Sequence, residues 1–271
     1  MTPNAPQSKA PSTPAVKASN ESFYTYEQVK LPSKGICYPA EWTKDGSISL
    51  RPMTTEEEKI LTTARFVKTG RAIDMIFKAC LENKDIETTE LLSGDRAYLL
   101  YFLRQMSYGA AYEYKIHCPS CGTTFETTYN LNDIVIKFLK DDFREPISTT
   151  LPICKKKVSL RLTRGKDELR LIEDRDRRIA TFGADQVDNT VVERLTIIIE
   201  SIDGEEDRAI ITKAVNHMIA GDAATLRNFI EEEEPGIITD HSNVCPKCAH
   251  EFVTDVPVGS SFFSVSKTKV S

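Results

Sequence analysis

The chain has little that would tie it to a membrane or an export route. Nowhere do about 18 apolar residues follow one another, so no transmembrane helix is expected. The opening stretch MTPNAPQSKAPSTPAVKASN holds no apolar run, so it does not read as a secretory signal. Basic excess is missing as well. A net charge of −5 and a pI near 5.6 argue against broad, non-specific nucleic-acid binding, which needs clustered Lys and Arg to displace counterions. No Gly-rich phosphate loop, nucleophile elbow or His-Glu-x-x-His is present, and no catalytic constellation stands out, so the chain reads as a non-enzyme with no small-molecule substrate. An odd count of seven Cys without an export signal does not read as a disulfide framework.

What is present is an ordinary globular composition, 40% hydrophobic and 28% charged, long enough for one or two domains. Residues 1–22 are rich in Pro, Ser, Ala, Asn and Lys and are expected to form a disordered tail, either passive or partner-binding. Order is expected from residue 23, with a strand and loop in FYTYEQVKLPSKGICYP and a second strand in SISLRPM. TTEEEKILTTARF carries a capping box, Thr54 with Glu57 or Thr55 with Glu58. Helices are expected over 71–84 and, capped by Ser93, through GDRAYLLYFLRQMSYG. The second has apolar positions most of the way round, as a central buried helix would. Strands then flank residues 118–121, and ISTTLPICKKKVSLRLTR reads as two strands around a Lys turn. Helices are expected again over 166–180, 190–202, 205–221 and 222–234, the last capped by Asp222. The final residues, 259–271, read as a loose tail in which Phe262 and Phe263 are available to dock.

Two cysteine turns carry the clearest chemical signal. CPSCGTTFETTYNL starts at Cys118 and CPKCAHEFVTDVPV at Cys245. Both are Cys-Pro-x-Cys, both place a Phe four residues after the second Cys (Phe125 and Phe252), and both continue as strands. Each is a zinc knuckle. One knuckle supplies half of a tetrahedral site, and two complete it with Cys118, Cys121, Cys245 and Cys248. Soft thiolates suit a redox-inert d¹⁰ ion, so one structural Zn2+ per chain is expected. The separation is unusual, because 123 residues lie between Cys121 and Cys245. Closing a flexible loop of that length costs roughly 4 kcal/mol, while a structural zinc site contributes on the order of 10 kcal/mol or more. The alternatives are two separate metal-free knuckles and a redox dithiol; the doubled pattern with its internal Pro fits a knuckle better. His117, His241 or His250 is near enough in sequence to replace a ligand.

The expected fold is therefore α+β: a mixed helical protein with short β-strands and a split four-cysteine zinc ribbon. Its parts are an N-terminal tail (1–22), an α/β part ending in the first knuckle (23–129), an inserted hairpin plus helical region (130–240), the second knuckle closing the ribbon (241–258) and a C-terminal tail (259–271). Lesser features have plain readings. Cys37, Cys80 and Cys154 are lone, and Cys80 lies on an apolar helix face. EDRDRR (173–178) reads as a solvated face. EEEE (231–234) near a helix C-terminus opposes the dipole, so it marks either a basic partner or a frayed end. CKKKVSLRLTR is the one basic cluster, either an exposed hairpin or a nucleic-acid contact.

Several motifs in order resemble a known family: LPSKGICYP, ISLRPMTTEEEKIL, a Gly, AIDMIFKAC and LLSGDRAYLLYFLRQMSYGAAYEYKIHCPSCG, within residues 28–256. The sequence is similar to the baseplate hub subunit or hub assembly protein family of T-even-type contractile-tailed bacteriophages. That resemblance implies a non-enzymatic part in building the central hub of the tail baseplate, through contacts with other hub and tail proteins. It implies a place in the host cytoplasm during assembly, or in the baseplate of the finished tail. The alternative from the residues alone is a zinc-ribbon nucleic-acid-binding or transcription-related protein.

Overall fold

The structure, a computed structural model, describes residues 24–183, 189–258 and 262–263. The expected tail at 1–22, and all of 259–271 except Phe262 and Phe263, lie outside the described residues. Eight α-helices and eleven short strands appear among the described residues, and every strand pairing is antiparallel. The fold is α+β.

The N-terminal part begins with β1 (Glu27–Lys30) paired to β2 (Ser47–Leu50), with Val29 opposite Ile48 and both buried. Helix α1 (Thr55–Thr62) starts at the capping box of Thr54 and Glu57. Glu57 has a second role, holding the buried Arg51 at 2.9 Å. After α2 (Ala64–Lys68) comes α3 (Arg71–Cys80), which buries Ala72, Ile76, Phe77 and Cys80. It stops short of the expected residue 84 because Leu81 turns extended and bridges to Leu50. Helix α4 (Ser93–Tyr108) is the expected central helix, burying Leu99, Leu100 and Leu103. Its N-cap is Leu92, whereas Ser93 lies inside the first turn, its backbone N–H donating to the Thr163 carbonyl.

Two further strands, β3 (Ala111–His117) and β4 (Thr124–Asn130), form a hairpin. Then β5 (Val135–Lys137) leads to β6 (Ile147–Thr150) and β7 (Lys157–Leu160), joined through the Lys-rich turn. Helix α5 (Gly165–Phe182) has a solvated face, on which Asp174 pairs with Arg170 and Arg177. Helix α6 covers only Thr190–Ile198; its expected continuation is β8 (Ile199–Ile202), which completes the β6–β7–β8 sheet. The run Ile197–Ile199 is β-branched and buried, and cross-strand packing against Val158 and Leu160 outweighs helix continuation there. Helices α7 (Arg208–Asn216) and α8 (Ala220–Glu233) follow. Asp222 is not the cap of α8, which is Ile219; its buried carboxylate instead accepts the backbone N–H groups of Ile153 and Cys154 at the β6–β7 turn.

Strand β9 (Gly236–Ile238) pairs back to β5, and β10 (Asp240–Val244) forms a hairpin with β11 (Glu251–Asp255). The β5–β9 ladder joins the chain on entry to the intervening region and on exit from it. Two main clusters fill the interior. One runs from Val29 to Tyr129 and Leu131 and takes in Val256 and Phe262 from the C-terminal end. The other is drawn wholly from residues between Leu151 and Ile230. Arg96 of α4, 4% exposed, bonds Asp74 at 2.6 Å and Glu168 of α5 at 3.3 Å. At Gly94 a Cβ would lie 1.8 Å from the Pro235 carbonyl oxygen, so only glycine lets α4 approach the start of β9 this closely.

Two of the four glutamates at 231–234 find their cations inside the chain. Glu233 pairs with Lys140, Glu234 with Arg194, and the Glu231 carbonyl accepts Lys137. Likewise Arg161 and Arg164 of the basic cluster are held by Asp167 and Glu145.

Candidate metal centre

The two cysteine turns are hairpin ends of the same construction. In the first, the Cys118 N–H donates to the Thr123 carbonyl and the Gly122 N–H to the Cys118 carbonyl, each at 2.9 Å. In the second, the Cys245 N–H donates to the His250 carbonyl and the Ala249 N–H to the Cys245 carbonyl, again at 2.9 Å. The residue after the second Cys is left-handed in both, Gly122 at φ +67 and Ala249 at φ +55. Glycine takes that conformation without cost; alanine does so against its Cβ. The internal repeat read from the sequence is thus a repeat of backbone geometry.

The hairpins pack so that the turns converge. The Sγ atoms of Cys118, Cys121, Cys245 and Cys248 all lie within 4.8 Å of one another. Cys118 and Cys248 are 3.6 Å apart, and Cys121 and Cys245 are 3.7 Å apart. A tetrahedral ion with sulfur at about 2.3 Å has S···S edges of about 3.8 Å, so the cluster has the size of a four-thiolate site. Cys118 and Cys245 are buried, while Cys121 and Cys248 face solvent. Hydrogen bonding with the Thr123 hydroxyl, 3.3 Å from Sγ, and then with its backbone pulls the Cys121 thiol down to about 6, whereas at Cys248 a hydrogen bond from the His250 backbone is outweighed by burial and the other three sulfurs, which push its thiol up to about 11. Four sulfurs fill a tetrahedral shell and fit a structural ion. Among the described residues no other group of three or more His, Cys, Asp or Glu is arranged to hold a metal.

No histidine joins the cluster. The His117 Nδ1 lies 2.8 Å from the Thr124 hydroxyl, and the His250 ring stacks on Phe252. His241 fastens the two hairpins: its Nδ1 is 2.8 Å from the Tyr114 hydroxyl, and its ring meets that of Tyr129. The repeated phenylalanines, Phe125 and Phe252, meet edge to face with centroids 6.3 Å apart. The lone cysteines stay apart from the centre, and burial pushes the Cys37 and Cys80 thiols up to about 12.

A second set of anchors lies beyond the ribbon. The Tyr101 hydroxyl donates to the Val256 carbonyl at 2.7 Å, and the Arg104 Nε to the Phe262 carbonyl at 2.6 Å. The Phe262 ring is fully buried between Tyr101 and Tyr112. The sequence sign of this anchor was two adjacent phenylalanines in a polar tail; nothing in the sequence named the socket.

A family model described as T4 bacteriophage base plate protein matches residues 24–264, nearly all of the chain from the first strand to the Phe262 anchor. The chain belongs to this family. No curated protein and no solved structure gave a significant match. As a member of the base plate family the chain is a phage structural protein, associated with the virion tail and in contact with other tail proteins. No helix among its described residues is long and apolar enough to cross a membrane.

Proposed function

We propose that this base plate protein is a component or assembly factor of the central hub, and that one zinc ion held by Cys118, Cys121, Cys245 and Cys248 fixes its shape. The observation that carries the metal is the meeting of four sulfurs from two hairpin turns that are 124 positions apart. The hub assignment rests on the run of N-terminal motifs and on the family match. In this reading the protein acts through surfaces and not through chemistry. The metal sets the C-terminal hairpin against the N-terminal part, and the region 130–240 stands as an inserted unit whose ends β5 and β9 bring together. That pairing does most of the loop closure, so the ion need not offset the full roughly 4 kcal/mol of a flexible connection.

Two measurements test this. Protein purified without chelator is expected to carry about one zinc per chain; a chain free of metal would sink the zinc assignment. Co-expression with the tail and hub proteins of the same phage is expected to recover a complex with hub components. A complex with tube or sheath proteins alone would move the assignment elsewhere in the tail, and a salt-dependent shift with DNA or RNA would favour the nucleic-acid alternative.

A further inference from the structure

We propose that the cysteine cluster is a convertible staple: on oxidation the metal leaves and the sulfurs pair across the two hairpins, Cys118 with Cys248 and Cys121 with Cys245. The proposal rests on the reading that the cluster holds zinc. Its geometric basis is the two short sulfur contacts, 3.6 and 3.7 Å, each of which joins one hairpin to the other. They share no sulfur, so both bonds can exist together. A disulfide needs about 2.05 Å, so each pair closes by about 1.6 Å. Along the strands behind the sulfurs, the Phe125–Phe252 and Tyr114–His241 contacts hold the hairpins opposed.

Exposure supplies the order of events. Each proposed pair joins one exposed and one buried cysteine. The other way of pairing across the hairpins would join the two buried sulfurs to each other. The oxidant is a low-molecular-weight disulfide. The exposed Cys121 thiolate attacks it, forming a mixed disulfide and releasing one small thiol. The buried Cys245 thiolate then attacks the Cys121 sulfur, and the second small thiol leaves. The same two steps follow at Cys248 and Cys118. In sum four cysteine thiolates lose four electrons, two small disulfides take them up with four protons to give four thiols, and the metal departs as a divalent ion. The consequence is mechanical. A released particle enters oxidising surroundings, where thiolate sites are at risk. Pairing across the hairpins keeps the C-terminal arm fastened; pairing inside each knuckle would free it.

The test uses the full chain carrying Cys154→Ser, which removes the remaining exposed thiol, titrated with oxidised glutathione. One zinc per chain is expected to appear in step with the loss of four thiols. Trypsin cuts after Lys247 and separates Cys245 from Cys248, so both resulting peptides are expected to be linked to the peptide bearing Cys118 and Cys121. To fix the pairing, electron-transfer fragmentation of the linked peptides from the full four-cysteine chain is expected to join Cys118 to Cys248 and Cys121 to Cys245. Linkage of Cys245 to Cys248 with none to the first hairpin would overturn the proposal, as would linkage of Cys118 to Cys245. The outcome stays separable from the zinc assignment: if the purified protein holds no metal, that assignment fails, and the same mapping on the reduced chain still decides the pairing.

Discussion

If the four cysteines hold the proposed zinc, its removal has an effect whose size the structure sets. The β10–β11 hairpin is two-stranded, and such hairpins are marginal in water. Ordering Asp240–Asp255 costs roughly 20 kcal/mol, toward the lower end of the per-residue range. Burial of Val256 and Phe262 returns about 2–3 kcal/mol each. Hydrogen bonds from Tyr101, Tyr112 and Arg104 to the carbonyls of Val256, Pro257 and Phe262 add about 3–4 kcal/mol together. The ring contacts Phe125–Phe252 and Tyr129–His241 add about 1 kcal/mol each. The total is about 10 kcal/mol, roughly half the ordering cost of the hairpin alone, so holding the arm down takes a further contribution on the order of 10 kcal/mol or more, the range of a structural zinc site. Chelation or Cys245→Ser is therefore expected to undock the C-terminal arm while the cluster between Leu151 and Ile230 survives. Hydrogen exchange read by mass spectrometry should show amides of 240–256 losing protection by about a thousandfold or more, with little change in α6–α8. Equal protection of the hairpin with and without metal would refute the reasoning, as would wild-type melting of Cys245→Ser.

Three further expectations follow from particular residues. Gly122→Ala should cost about 1 kcal/mol, whereas Ala249→Gly should be neutral or stabilising by up to about 1 kcal/mol, since both positions are left-handed; urea denaturation of the zinc-loaded chain checks the order. Burial works against the Glu57 carboxylate, but hydrogen bonds from Arg51 and then Thr54 overcome it and hold its pKa at about 2. The folded value lies below the unfolded one near 4.3, so Glu57 contributes up to about 3 kcal/mol above that pH, lost as pH falls toward 2. Glu57→Gln should flatten the stability profile in that acid window, and an unchanged profile would count against the ion pair. Phe262→Ala empties a fully buried socket and should cost about 3–5 kcal/mol by chemical denaturation; a loss under about 1 kcal/mol would mean the ring is not held there.

Much of the local structure was legible because it depends on neighbours in sequence. The Thr54–Glu57 box, the apolar face of α3 and the central helix α4 each follow from spacing alone. The failures share one cause, a distant partner. Helix α3 ends early because Leu81 bridges to Leu50, and the end of α6 becomes a strand because Val158 and Leu160 lie beside it. Asp222 looked like a cap, but a turn 69 positions away uses its carboxylate. The acidic run at 231–234 looked unpartnered because Lys140 and Arg194 come from other elements.

By itself the sequence singled out Cys118, Cys121, Cys245 and Cys248, since residue type and Cys-Pro-x-Cys spacing dictate which sulfurs a turn can present. It also determined the likeness of the two turns, down to the paired phenylalanines. Only the tertiary structure decided that the turns meet, because that depends on the β5–β9 ladder closing the intervening region and on Tyr114, His241 and the Phe262 socket holding the hairpins together. Spacing within a turn is local and is written in order along the chain. Convergence of two turns is a property of everything packed between them.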